Sequence, residues 1–145
     1  MHGVLHPDLS PLIGSWRLLS VVWTFSDTKE SFEPLGSQPD GRMVLTSGGR
    51  IMFLLTMAKR RSPADDGERA ALFNGMAAYT GFIRRDGPGR FVTSVDVAWH
   101  PDWVVDQPRF FTIAGDRLVI RSAGQAAPQY QGRLVVGDLI FIREH

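Results

Sequence analysis

Short apolar segments separated by glycine, proline and aspartate recur along the whole chain. They cover residues 16–25, 42–46, 50–57, 79–84, 90–99, 109–113, 117–121 and 133–143. Segments of this length, bounded by turn-forming residues, are typical of β-strands. The residues Ser47-Gly48-Gly49 indicate a hairpin, because paired glycines accept the positive φ of a tight turn. The pattern therefore predicts eight strands in an up-and-down meander.

Alternation within the segments predicts which side chains share a face. In the 90–99 segment one face is predicted to carry Phe91, Thr93, Val95, Val97 and Trp99, and the other to carry Val92, Ser94, Asp96, Ala98 and His100. The 50–57 segment is apolar on both faces, so we expect another surface to cover its outer face.

An antiparallel sheet of this size, without parallel crossovers, tends to close on itself because closure removes exposed edges. We therefore expect an all-β fold, an eight-stranded antiparallel up-and-down barrel. The interior of such a barrel is either filled by side chains or holds one small ligand. The length of 145 residues is that of a single domain, with residues 1–11 as an N-terminal extension.

One segment departs from the strand pattern. Ser62-Pro63-Ala64-Asp65 predicts a helix start, with serine as the N-cap and proline at the first helical position. The helix is expected to include Glu68 to Ala78 and to place Leu72, Phe73 and Met76 on one face. Two interpretations stay open: the helix forms a lid or plug at one mouth of the barrel, or it only covers apolar surface.

Composition and charge narrow the classes of protein. Hydrophobic residues make up 43% of the chain and charged residues 21%, which is enough apolar material for a packed core. The formal net charge of +1 argues against a general nucleic-acid-binding protein, which needs a basic excess. We interpret the basic run Lys59-Arg60-Arg61 as a solvated loop. The absence of cysteine excludes disulfides, thiolate catalysis and cysteine-ligated metals.

Signals for membranes, metals and cofactors are missing from the sequence. No apolar run approaches the ~20 residues that span a bilayer, and the N-terminus lacks the features of a secretory signal. We therefore expect a cytoplasmic protein with no membrane partner. We also expect no metal site, because His2, His6, His100 and His145 are scattered along the chain. No phosphate-binding glycine loop or dinucleotide fingerprint occurs, so we expect no cofactor.

A set of short motifs resembles a known family. Gly14-Ser15-Trp16, at the start of the first strand, resembles the Gly-x-Trp signature of lipocalins. A longer set, running from about Leu12 to the C-terminus, resembles the bacterial lipocalin-like domain family in order and spacing. The set consists of Leu12 to Leu18, Pro34 to Gly36, Gly41 to Met43, Gly49 to Met52, Ala78 to Gly81, Pro101 to Val104, Gln107 to Phe110 and Leu139 to Arg143.

This resemblance implies a compact barrel with a central cavity for small molecules. It also implies that Trp16 closes the barrel floor and stacks on an arginine near the end of the last strand, where Arg143 stands. A guanidinium over an indole face is favourable by about 0.5–2 kcal/mol. Some relatives belong to pathways that build natural products, where such barrels can act as cyclases or isomerases.

Four polar side chains are candidates for catalysis: Tyr79, Asp96, His100 and Arg109. A histidine can act as a general base near neutral pH, although we favour a turn-capping role for His100. Asp96 and His100 lie on one strand about 13 Å apart, so each needs a partner from another strand.

Arg109 and Tyr79 are also candidates for ligand binding. An inward-pointing Arg109 can bind a carboxylate or phosphate, whereas an outward-pointing one only keeps the barrel soluble. The Tyr79 phenol can donate to a ligand oxygen, or its ring can belong to the core. The full set of predicted ligand contacts is Trp23, Phe53, Tyr79, Trp99, Trp103, Arg109, Phe111 and Tyr130.

These residues leave three functions of different kinds open. The first is binding of a small hydrophobic molecule in the barrel, which needs an apolar cavity with one or two polar anchors. The second is a cofactor-independent isomerase, cyclase or hydrolase acting on a polyketide-like or aromatic substrate, which needs two titratable groups that converge inside. A third is a filled barrel used for protein contact, and a homodimer stays open in each case.

Overall fold

The computed structural model describes residues 5–127 and 130–145 and contains ten strands and one α-helix within them. The strands are β1 (Gly14–Phe25), β2 (Ser31–Phe32), β3 (Asp40–Leu45), β4 (Arg50–Thr56), β5 (Met76–Arg85), β6 (Arg90–Ala98), β7 (Asp106–Ala114), β8 (Arg117–Ser122), β9 (Gln125–Ala127) and β10 (Arg133–Arg143). The helix α1 is Asp66–Asn74, and the segments Pro7–Leu12 and Pro101–Trp103 form 3₁₀ turns.

Eight of the strands close into an antiparallel barrel, as the sequence predicts. Neighbours follow the order β1-β3-β4-β5-β6-β7-β8-β10, and β10 pairs back onto β1. The short strands β2 and β9 lie where the sequence suggested loops, and they extend the sheet beside β1 and β10. No helix in the described ranges combines the length and the hydropathy needed to cross a membrane.

One end of the barrel is sealed by the start of β1 and the end of β10. Trp16 is fully buried, and the Arg143 guanidinium lies 4.1 Å from the centre of its ring, which confirms the predicted pair. Arg143 also donates to the carbonyl oxygens of Ile13 and Pro11, at 3.0 and 2.7 Å. These bonds tie the segment before β1 to the last strand, so we call this the closed end.

The Pro7–Leu12 turn completes the closed end. Leu9 and Leu12 are 1% and 0% exposed, so the predicted N-terminal extension contributes Leu9 to the barrel core. The indole N–H of Trp16 donates to the Leu12 carbonyl at 2.9 Å. Gly14 has a φ of +131°, and a Cβ there would lie 3.2 Å from an Arg143 nitrogen. Glycine is therefore needed in the Gly14-Ser15-Trp16 motif on two counts.

The predicted bounds of the helix are wrong at both ends. Its N-cap is Asp65, whose carboxylate accepts from the Glu68 N–H at 2.8 Å, and not Ser62. Gly75 ends the helix, and Met76 begins β5 by pairing with Thr56. The spacing of Leu72, Phe73 and Met76 fits the period of a helix, which is why the helix is predicted to continue. Hydrogen bonding with β4 instead places Met76 in the sheet.

The predicted alternation of β6 fails at a bulge. Thr80 pairs with Val97 and Gly81 with Val95, which leaves Asp96 as an extra residue. Val97 is 63% exposed as a result, although alternation placed it inside with Val95. The bulge needs Gly81, because a Cβ at this position would overlap the Ser94 carbonyl.

The outer face of β4 is apolar, as the sequence indicates. Met52 and Leu54 are each 55% exposed, and Val44 beside them on β3 is 39% exposed. The expectation that another surface covers this face, a second copy of the chain among the options, stays a prediction.

We expect Trp16→Ala to lower the free energy of unfolding by about 3–5 kcal/mol, because it removes a fully buried aromatic side chain from a sealed end. Chemical denaturation followed by circular dichroism measures the change. Ligand binding is expected to change only through the population of folded protein. A Trp16→Ala protein that keeps its stability but loses a ligand would contradict this structural role.

Candidate ligand-binding site

A cavity lies inside the barrel at the end opposite Trp16, which we call the open end. Its volume is about 50 Å³, taken as the space open to the centre of a water molecule. Adding the ~1.4 Å radius of water around a compact space of this size gives roughly 200 Å³, room for one or two fused rings. The cavity is therefore suited to a small ligand.

The cavity wall is mostly apolar and comes from strands on all sides of the barrel. Aromatic rings form much of it, and the polar side chains are few. The lining residues are Val21, Trp23, Pro34, Leu35, Phe53, Leu55, Asn74, Met76, Ala77, Tyr79, Trp103, Arg109, Ile120, Ser122, Gln125, Tyr130, Val135, Gly137 and Leu139.

Arg109 is the charged residue of this wall. It is 5% exposed, because its position on β7 alternates with the outward-facing Pro108 and Phe110. Its guanidinium donates to the Pro108 carbonyl at 2.8 Å, to the Gln107 side-chain oxygen at 2.9 Å and to the Tyr79 hydroxyl at 3.5 Å. No carboxylate of the described residues forms an ion pair with it.

Gln107 holds Arg109 in place and connects it to the Pro101–Trp103 turn. It is 1% exposed, and its amide nitrogen donates to the Trp103 carbonyl at 3.2 Å while its oxygen accepts from Arg109. Both hydrogen-bonding ends of the amide are thus used within the protein. The Trp103 indole N–H is buried and has no partner among the described residues.

The aromatic residues form two groups. In the first group, Phe53 stacks on Tyr79 with ring centres 4.8 Å apart, and the ring centre of Trp103 lies 5.7 Å from that of Tyr79. Nearer the mouth, Trp23 and Tyr130 meet edge to face at 6.1 Å. Burial raises the pKa of Tyr130, so its phenol stays protonated and can donate a hydrogen bond.

The structure brings six of the eight predicted ligand contacts to the cavity wall: Trp23, Phe53, Tyr79, Trp103, Arg109 and Tyr130. Trp99 lies behind Trp103, with ring centres 4.9 Å apart, and does not line the cavity. Phe111 packs on Phe91 toward the closed end, with ring centres 5.9 Å apart. Contact of any of these residues with a ligand stays a prediction.

Two of the four catalytic candidates lie away from the cavity. Asp96 is on the outer surface at the β6 bulge, where the Arg50 guanidinium donates to both of its oxygens at 2.8 Å. His100 caps the Pro101–Trp103 turn by accepting from the Asp102 N–H through Nδ1 at 3.1 Å. This cap is the role that the sequence favoured for His100. Only Tyr79 and Arg109 meet inside.

Sequence reasoning missed the polar lining residues Asn74, Ser122 and Gln125, and Gln107 beside the cavity. Two of these, Gln107 and Ser122, follow from strand alternation. Gln107 and Arg109 stand two apart on one strand, so the alternation that brings Arg109 inside also brings Gln107 inside. Ser122 continues the inward face of Leu118 and Ile120 on β8. Its hydroxyl accepts from the Gly137 N–H at 2.7 Å. Alternation would have found both residues.

The helix α1 connects β4 to β5 at the open end. None of its residues is buried, while Asn74 at its C-terminus belongs to the cavity wall. The Trp99 indole donates to the Phe73 carbonyl at 3.1 Å and ties the helix to the end of β6. This position fits a lid better than a cover over apolar surface.

A second depression lies on the surface between α1 and the loop after β4. Its volume is about 240 Å³ on the same measure, and the basic run Lys59-Arg60-Arg61 forms part of its rim. Arg60 donates to the Leu72 carbonyl at 3.3 Å, and all three basic residues are exposed. It is wider than the inner cavity but open to solvent, and it lacks buried polar groups.

The chain is similar to a known protein family over the whole length of its barrel. A family model described as a lipocalin-like domain matches residues 13–143, which is nearly the full chain. No curated protein matches the chain.

We expect Trp99→Phe to loosen the helix α1 without changing the barrel. The substitution keeps a ring but removes the hydrogen bond to Phe73, and a neutral hydrogen bond contributes about 0.5–1.5 kcal/mol. Amide hydrogen exchange of Asp66–Asn74 should become roughly 2–10 times faster, while exchange in β8 and β10 stays unchanged. Equal protection of α1 in both proteins would show that this bond does not hold the helix down.

Proposed function

Because this chain belongs to the lipocalin-like domain family, we propose that it binds a small hydrophobic molecule in the cavity at the open end of its barrel. The observation that carries this proposal is the cavity wall. Five aromatic and nine aliphatic side chains of the described residues surround a small space, and only four polar or charged side chains interrupt them. Such a wall is typical of a small-molecule site.

The aromatic part of the wall favours a flat, apolar ligand. Phe53 and Tyr79 are already stacked, so their rings need little reorganisation to receive another ring. An aromatic pair contributes about 0.5–1.5 kcal/mol beyond the burial of its area. A ligand of one or two fused rings therefore gains both packing and ring contacts here.

Binding is better supported than catalysis by the titratable groups of the wall. Among the described lining residues these groups are Tyr79, Arg109 and Tyr130, and none is a carboxylate or a histidine. Isomerases, cyclases and hydrolases without a cofactor rely on a general base, and this base is usually a carboxylate or a histidine. The meeting of Tyr79 with Arg109 suits recognition of a ligand oxygen.

The direct test is a titration with a neutral aromatic probe, 1-naphthalenemethanol, followed by tryptophan fluorescence. Trp23 and Trp103 line the cavity and should report its occupation. Native mass spectrometry of the purified protein tests in parallel for a ligand carried through purification. Absence of saturable binding together with absence of a co-purifying molecule would overturn the proposal.

We expect Ala77→Leu to weaken binding of 1-naphthalenemethanol by at least about tenfold, because the added carbons occupy a large part of a small cavity. Ala77 is 6% exposed and lines the cavity. Ala78→Leu is the matched control, since the next residue of β5 points to the opposite face of the sheet. Both variants should remain folded by circular dichroism. Equal loss of binding in the two proteins would contradict a site inside the barrel.

A further inference from the structure

We propose that the ligand of this cavity carries a carboxylate, and that Arg109 and Tyr79 hold that group. This inference rests on the proposed function and specifies the chemical class of the ligand. It comes from the hydrogen-bonding groups that the protein's own structure leaves without partners in the cavity wall.

The first observation is the charge of Arg109. Arg109 is 5% exposed, and no carboxylate of the described residues forms an ion pair with its guanidinium. A buried charge without a counter-ion is strongly unfavourable, so such groups are normally paired. The partners of Arg109 are two neutral oxygens at 2.8 and 2.9 Å and the more distant Tyr79 hydroxyl. An anion in the cavity would supply the missing charge.

The second observation is that the unused groups are donors. Three hydrogen bonds leave some N–H groups of the guanidinium without a described partner. The Tyr79 hydroxyl accepts from Arg109, so its own proton is free to be donated.

A carboxylate is the group that answers both observations. It is negatively charged and it only accepts hydrogen bonds, whereas an amide or an alcohol also brings a donor. Its charge also strengthens the hydrogen bonds that it accepts from a guanidinium. The surrounding wall is apolar and small, so the rest of the ligand is expected to be a compact ring system.

The decisive experiment compares two probes of equal size, 1-naphthoate and 1-naphthamide, by isothermal titration calorimetry at neutral pH. We expect the carboxylate to bind about 10–100 times more tightly, because hydrogen bonds to a charged group contribute about 1.5–3 kcal/mol. If the amide binds as tightly as the carboxylate, the inference is wrong while the proposed function stands. If neither probe binds and 1-naphthalenemethanol also fails, the proposed function is wrong as well.

Two variants assign the effect to the named residues. Arg109→Met keeps an unbranched apolar side chain and should remove most of the preference for the carboxylate over the amide. Tyr79→Phe keeps a ring, loses the hydroxyl, and should weaken 1-naphthoate binding by about threefold to tenfold. Arg117→Met is the matched control, because Arg117 is exposed on β8. Retained preference in Arg109→Met would overturn the assignment.

The dependence on salt separates this buried site from the basic surface depression. The Lys59-Arg60-Arg61 run is exposed, so an anion held there should bind more weakly as sodium chloride rises from about 50 to about 500 mM. An anion held by Arg109 inside the barrel is screened much less. A large loss of 1-naphthoate affinity with salt would therefore argue against the proposed site.

Discussion

The pairing of β1 with β10 is the interaction on which the rest of the molecule depends. It converts an open meander into a closed barrel, and it brings Trp16 beside Arg143 at one end of the two strands. At that end the Pro7–Leu12 turn adds two buried leucines, so the interior is filled. At the other end the same two strands stay paired as far as Phe25 and Val135, and β2 and β9 lie beside them. Closure therefore creates a sealed end and an open end together.

The cavity wall at the open end carries few polar side chains. In an apolar surrounding, each buried donor without a partner and each unpaired charge is unfavourable for the protein alone. Arg109 and Tyr79 are residues of the wall that carry such groups. In the proposed function, a ligand supplies the acceptors that these donors lack, and the aromatic rings favour a flat shape. The helix α1 and the Pro101–Trp103 turn each add a residue to the wall, Asn74 and Trp103.

The sequence predicts the features that depend on local pattern. Turn-forming residues and two-residue alternation are enough to locate all eight barrel strands, and Gly14-Ser15-Trp16 locates the closed end. The β6 bulge could not be predicted, since it depends on close approach of Gly81 to the Ser94 carbonyl on another strand. The end of α1 was misplaced because Met76 fits a helical period equally well until β4 pairs with it. The charge environment of Arg109 depends on which acidic residues reach the interior, and that depends on the whole register.

Two arginines of this barrel differ in how far the chain itself satisfies their charge and their hydrogen-bond donors. Arg143 is 25% exposed at the side chain, stacks on Trp16, donates to two backbone carbonyls and lies 3.8 Å from an Asp116 oxygen. Its charge and its donors are thus satisfied within the chain. Arg109 is more deeply buried and has neutral partners only. If stability alone were at stake, an apolar residue of similar volume would suit its position at least as well. The proposed carboxylate ligand would supply the charge that this position lacks within the described chain.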